Sequence, residues 1–173
     1  MTANHLAQGA LLCGVLAIVA CFLTWATPQR SLADLRAEAY RAQADGDLSS
    51  PTNVVEETRL AFEVKGTRQP FHGIWVVALA ALGIITAGIG ALFLTLEGQF
   101  RQPAEKMLRL AGILFAVAAV LVLLDGSPGN FPYADRAMGW WLALTCSLAA
   151  CFCATMGSAR LPKKAEGVPD TEA

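Results

Sequence analysis

Residues 73–96 read GIWVVALAALGIITAGIGALFLTL, a run of 24 positions without a charged side chain. A helix rises about 1.5 Å per residue, so this run reaches about 36 Å and covers the roughly 30 Å of a bilayer's hydrocarbon. Working outward, the same kind of run recurs at 8–27 (QGALLCGVLAIVACFLTWAT) and at 137–157 (AMGWWLALTCSLAACFCATMG). A fourth covers 110–124 (LAGILFAVAAVLVLL) and lengthens to Met107 when Arg109 snorkels. One such run fits the buried helix of a soluble protein; four in 173 residues do not. Lipid offers no partner to an open backbone group, so the runs are helices and not strands. The expected fold is an all-α membrane protein: a four-transmembrane-helix bundle with spans at about 8–27, 73–96, 107–124 and 137–157. Residues 28–71 form a small exported α/β loop, and 158–173 a cytoplasmic tail.

Composition agrees. The chain is 55% hydrophobic and 16% charged, with 13 Lys+Arg against 14 Asp+Glu, where a soluble domain carries about 25% charged residues. Mean hydropathy is +0.48. These values exclude a disordered chain, and the balanced charge excludes a basic nucleic-acid binder.

Four spans put both termini on one side. Arg101, Lys106 and Arg109 lie between spans two and three, and Arg160, Lys163 and Lys164 follow span four; the 125–136 loop has only Arg136. The positive-inside rule therefore makes the termini cytoplasmic and the 28–71 loop exported, across a plasma (inner) membrane. The six bases of that loop pull the other way and are accompanied by seven acids. Trp25, Trp75, Trp140 and Trp141 all fall at the outer end of their spans, with Phe71, Phe131 and Tyr133 nearby. They are read as interface anchors, because indole is apolar at one end and wet at the other.

Within the loop, Ser31 and Asp34 resemble a capping box before an Ala-rich helical stretch that Gly46 ends. Leu60, Phe62 and Val64 alternate as a short strand, and Lys65-Gly66-Thr67 turns the chain back. About 44 residues bury little core alone, so the loop should lean on the membrane, the third loop or another subunit.

The N-terminus lacks the basic region of a signal peptide, so the first span is expected to stay uncleaved. Ile18-Val19-Ala20-Cys21 resembles a lipobox, but Phe-Leu-Thr-Trp follows it instead of polar residues. None of the five Cys lies in an exported loop, which excludes a disulfide framework there. Small residues recur every four positions: Gly9, Cys13, Ala17 and Cys21 in span one, and Gly83, Ala87 and Ala91 in span two. Gly112 and Ala116 do so in span three, and Gly139, Ala143, Ser147 and Cys151 in span four. Such rows let helices pack closely, and the Cys serve as small packing residues. Thr86, Thr95, Thr145 and Ser147 are expected to bond carbonyls of their own helices.

Apart from Arg109 at the edge of span three, the spans hold no Asp, Glu, Lys, Arg or His, and they hold no Pro, which argues against an ion-coupled transporter. No nucleotide, hydrolase or zinc-protease motif occurs, and no catalytic residue, cofactor or metal is assigned. One outer polar group stands out: His72, Asp125, Tyr133, Asp135 and Arg136. A His beside carboxylates can answer to pH or hold a metal; otherwise these residues form a solvated rim that caps helix ends.

Phe22-Leu23-Thr24-Trp25 closing span one and Gly139-Trp140-Trp141-Leu142-Ala143-Leu144 opening span four resemble a loose group of small four-span bacterial membrane proteins, mostly uncharacterised. The resemblance implies an integral membrane protein and carries no activity. The loop layout is also similar to that of claudins, but residues 28–71 contain neither Trp nor Cys, and no claudin function is inferred. The expected function is a non-enzymatic accessory, assembly or scaffold subunit, working in the bilayer through a protein partner or as a homo-oligomer. A small-solute or hydrophobic-substrate carrier or channel is the alternative, and an envelope stress or pH sensor the third reading.

Overall fold

The structure, a computed structural model, describes residues 2–28, 37, 40–41, 64–67, 71–96, 100–125 and 134–161. Four long helices dominate: α1 (Ala3–Cys21), α2 (Gly73–Thr95), α3 (Arg101–Asp125) and α4 (Met138–Ala159). All four are long and apolar enough to cross a membrane. Helix α1 packs on α2 and α4, and α3 packs on the same two. The helices thus form an up-down ring in which α1 faces α3, and α2 faces α4, across the axis. Ala37, Tyr40 and Arg41, within the stretch expected to be helical, are helical; the rest of that stretch, and residues 60–63, lie outside the described residues.

Three helix ends differ clearly from the hydropathy runs. Helix α1 begins at Ala3, not Gln8, because Thr2 caps it: the Thr2 hydroxyl accepts from the His5 backbone N–H at 3.4 Å and contacts the His5 ring at 2.7 Å. It stops at Cys21, not Thr27. Leu23 leads into strand β1 (Thr24–Pro28), and Pro28 forces the residue before it into extended backbone. Helix α3 starts six residues before Met107. Pro103 is tolerated in a first turn, where its missing N–H has no partner to lose, and Ala104 and Leu108 are buried against the bundle.

Strand β1 is the centre of a three-stranded antiparallel sheet, flanked by β2 (Val64–Lys65) and β3 (Ala134–Arg136). Against β3 the pairs are Ala26 with Arg136, Thr27 with Asp135 and Pro28 with Ala134. The sheet sits at the end of the bundle where α1 and α3 finish and α2 and α4 start.

The interior is built of small residues. The buried positions of α2 are Gly73, Val76, Ala80, Gly83, Ala87 and Gly90, at alternating steps of three and four. Helix α3 follows the same rhythm through Ala104, Leu108, Ala111, Phe115, Ala118 and Val122. This 3.5-residue period belongs to left-handed bundle packing. A strict step of four drifts around the helix by about 40° each time. Accordingly Ala17, Cys21, Gly83, Ala87, Gly112, Gly139, Ala143 and Ser147 are buried, whereas Gly9, Cys13, Ala91, Ala116 and Cys151 are only half-buried. Leu, Ile, Val and Phe side chains occupy the outside: Leu12, Val15, Val19, Leu82, Ile85, Leu92, Ile113 and Phe152 are all exposed.

At mid-height the Phe115 ring fills a notch between α1 and α2. A Cβ on Gly14 would lie 2.9 Å from the ring and 2.8 Å from Ile84, and a Cβ on Gly83 would lie 2.9 Å from the same ring. Only glycine leaves room there. The expected carbonyl bonds form at Thr86, Thr95 and Thr145. Ser147 is the exception: its Oγ is buried with no hydrogen-bond partner, and nothing in the structure explains why.

Candidate functional site

The polar and aromatic side chains singled out in the sequence converge where the sheet meets the helix ends. Trp25 organises this cap. Strand β1 carries a bulge between Thr24, paired with Lys65, and Ala26, paired with Val64. Trp25 is the extra residue, and a bulge re-aims its side chain. The indole is 1% exposed, and its Nε1–H donates to the Ala20 carbonyl at 2.9 Å. That bond adds a second donor to a carbonyl at the end of α1, which also accepts the Leu23 N–H at 3.2 Å. Phe71 packs on the ring at 5.7 Å between centroids. A Cβ on Gly66 would overlap the indole, so glycine is required where the turn after β2 crosses it.

Backbone bonds then tie the cap to three helices. Gly66 and Thr67 donate to Leu23 and Cys21 at 3.3 and 3.1 Å, Gly73 to Gly66 at 3.1 Å, and Ala137 to Trp25 at 2.9 Å. The end of α1, the start of α2 and the start of α4 are therefore fixed to one another through the sheet.

Trp140 mirrors Trp25 on α4. It is 2% exposed, and its Nε1–H donates to the Val122 carbonyl near the end of α3 at 2.8 Å. Arg136 lies over its face at 4.5 Å, a cation–π contact. Trp140 meets Trp141 edge-on at 4.7 Å. The four Trp thus divide: Trp75 and Trp141 are 63% and 51% exposed, whereas Trp25 and Trp140 are inside the bundle with their N–H groups used internally. The expectation that all four stand at the surface is corrected for these two. A buried indole needs one acceptor, and the open carbonyls at helix ends supply it.

Within the outer polar group the structure brings His72 and Asp125 together across 53 residues of chain. Asp125, the last residue of α3, is buried, and its carboxylate accepts the His72 backbone N–H at 2.7 Å. His72 Nδ1 contacts the second oxygen at 2.5 Å. The N-cap position of α2 is His72 itself, which makes no side-chain cap. Asp125 therefore caps α2 from another helix, placing an anion at the positive end of that helix's dipole. Asp135 is exposed, and its carbonyl accepts from the Thr27 hydroxyl at 3.4 Å. Arg136 is engaged with Trp140, and Tyr133 lies outside the described residues. Among the described residues, no group of three or more His, Cys, Asp or Glu is placed to hold a metal. Sequence reasoning placed Asp125 in a rim that caps helix ends without finding which helix it caps, since nothing local links it to His72.

Replacing Asp125 by alanine leaves the His72 N–H without its acceptor and should cost about 1–2 kcal/mol. Asp125→Asn keeps one carbonyl oxygen and should lose less. Denaturant unfolding of the purified variants in one detergent checks the order.

Comparison with protein families, with characterised proteins and with solved structures gave no match.

Proposed function

We propose that this chain is a multi-pass protein of a plasma (inner) membrane, with both termini cytoplasmic and the 28–71 segment exported. In this reading it acts without catalysis, as an accessory, assembly or scaffold subunit that works through protein partners. The membrane part is supported by the inverted distribution of apolar residues. Ala and Gly make up much of the interior, around a few large side chains such as Leu108, Phe115 and Val122, while many Leu, Ile and Val side chains cover the outside. Water penalises such a surface, and lipid does not. Orientation rests on Arg101, Lys106, Arg109 and Arg160 at one end of the bundle.

The observation that carries the partner reading is the cap. It is fastened by backbone bonds to α1, α2 and α4, so the segment joining β1 to β2 is held on a rigid base while the helices below pack tightly on small apolar residues. Affinity purification from several mild detergents tests it. A reproducible co-purifying protein or a homo-oligomer is expected; recovery as a lone monomer in every detergent would contradict it.

A second reading, sensing at the cap, is favoured by the His72–Asp125 contact, because that pair joins the start of α2 to the end of α3. Cells carrying His72→Gln that respond to acid and to envelope stress as the wild type does would remove it.

A further inference from the structure

The outward side of α3 has an amphiphile's shape. Lys106 and Arg109 are exposed near its start, and Ile113, Val117, Val120 and Leu124 are exposed after them, at steps of three or four residues. These six positions lie along one side of the helix, opposite buried Leu108, Phe115 and Val122, because steps of three and four return a residue to the same face. From Ile113 to Leu124 the helix rises about 16 Å, close to half of a roughly 30 Å hydrocarbon layer. The charge is one-sided too. At this end Arg101, Lys106, Arg109 and Arg160 meet only Glu105 among the described residues. At the cap end Lys65 and Arg136 are balanced by Asp125 and Asp135. Glu105 pairs with Arg109 at 2.5 Å, but an exposed pair of this kind holds little energy and leaves the other guanidinium donors available.

We propose that this ridge binds an anionic phospholipid, with the headgroup phosphate on Lys106 and Arg109 and an acyl chain along Ile113, Val117, Val120 and Leu124. The proposal rests on the membrane reading above and is independent of the partner reading. The cations recognise phosphate, and the apolar strip directly above them selects a lipid over a free anion or a soluble acidic protein, neither of which has anything to lay along it. Anionic lipid also belongs to the cytoplasmic leaflet, which is where the excess of Lys and Arg places this end.

The test uses the full chain, delipidated in mild detergent and then titrated with phosphatidylglycerol or phosphatidylcholine while lipid adducts are counted by native mass spectrometry. Phosphatidylglycerol should be retained preferentially. The double variant Lys106→Gln/Arg109→Gln should lose that preference about 25-fold, taking about five-fold for each cation near an anionic surface. Phosphatidylcholine binding should not change, and Arg136→Gln, at the other end, should behave as wild type. Equal retention of the two lipids, an undiminished preference in the double variant, or full displacement of phosphatidylglycerol by inorganic phosphate would overturn the proposal. A second measurement covers a variant that fails to fold. Wild-type protein in phosphatidylglycerol nanodiscs should melt higher than in phosphatidylcholine nanodiscs at low salt, and the gap should close at high salt. A gap that ignores salt would overturn the lipid site. Failure to enter either kind of nanodisc would instead remove the membrane reading, and this proposal with it.

Discussion

Replacing Trp25 by alanine is expected to destabilise the protein by about 3–5 kcal/mol, the range for removing a fully buried large aromatic side chain. The indole is 1% exposed and touches three parts of the fold at once: the α1 end through Ala20, the turn at Gly66, and Phe71 before α2. Its loss removes one of the two donors to the Ala20 carbonyl, which keeps the Leu23 N–H at 3.2 Å, and hollows the seat on which β2 rests. Trp25→Phe keeps most of the apolar contact but not the N–H, and should cost about 1 kcal/mol from that source. Denaturant unfolding in detergent measures the first effect. Limited proteolysis of the 28–71 segment measures the second, since a cap freed from its base should be cut faster. An alanine variant as stable as wild type, with unchanged cleavage, would show that the indole does not hold the cap.

The second large effect belongs to the mid-height notch. Phe115→Ala should cost about 3 kcal/mol, at the low end for a buried Phe. The reason for the low end is the medium. In the proposed bilayer setting the surrounding lipid is as apolar as the protein interior, so little transfer energy is lost, and the cost comes from the dispersion contacts of the emptied space. Gly83→Ala attacks the same notch from the opposite direction. Its Cβ would lie 2.9 Å from the Phe115 ring, and the overpacking should cost about 1–3 kcal/mol. The double variant is the sharper measurement. Because the alanine at 83 fills part of the space Phe115 vacates, the two costs should sum to clearly more than the double variant shows. Strict additivity would mean that the two residues do not share the notch.

Much of the bundle was legible because hydropathy alone separates long apolar runs from charged connections. The end of α1 was not. Phe22, Leu23 and Trp25 are as apolar as the helix before them, and composition cannot tell an apolar helix from an apolar strand that continues it. Strand β3 was hidden for a different reason: Ala134-Asp135-Arg136 has no strand pattern of its own and is extended because β1 lies beside it. The small-residue rows correctly marked which residue types the helices use to approach one another. They drift partly off the inward face, because they follow a step of four where the bundle uses three and four, so that eight of the thirteen residues are buried and five half-buried. At the cap, the sequence assembled the right residues on the right end without their pairing. His72 with Asp125 and Trp140 with Val122 are both contacts between helices, and a one-dimensional pattern carries no distance information at such separations.

The position of β1 has a consequence for biosynthesis. Both of its sheet partners follow it in the chain, and the contact between Thr27 and Asp135 closes a separation of 108 residues. Until β3 has been synthesised, a nascent chain can pair β1 only with β2, leaving the other edge of β1 uncovered. An uncovered edge is what quality-control proteases and stray strands engage. The sheet therefore serves as a completion mark: its second edge closes only once residues 134–136 have arrived. A chain truncated before that point would keep the open edge and be recognisable as unfinished.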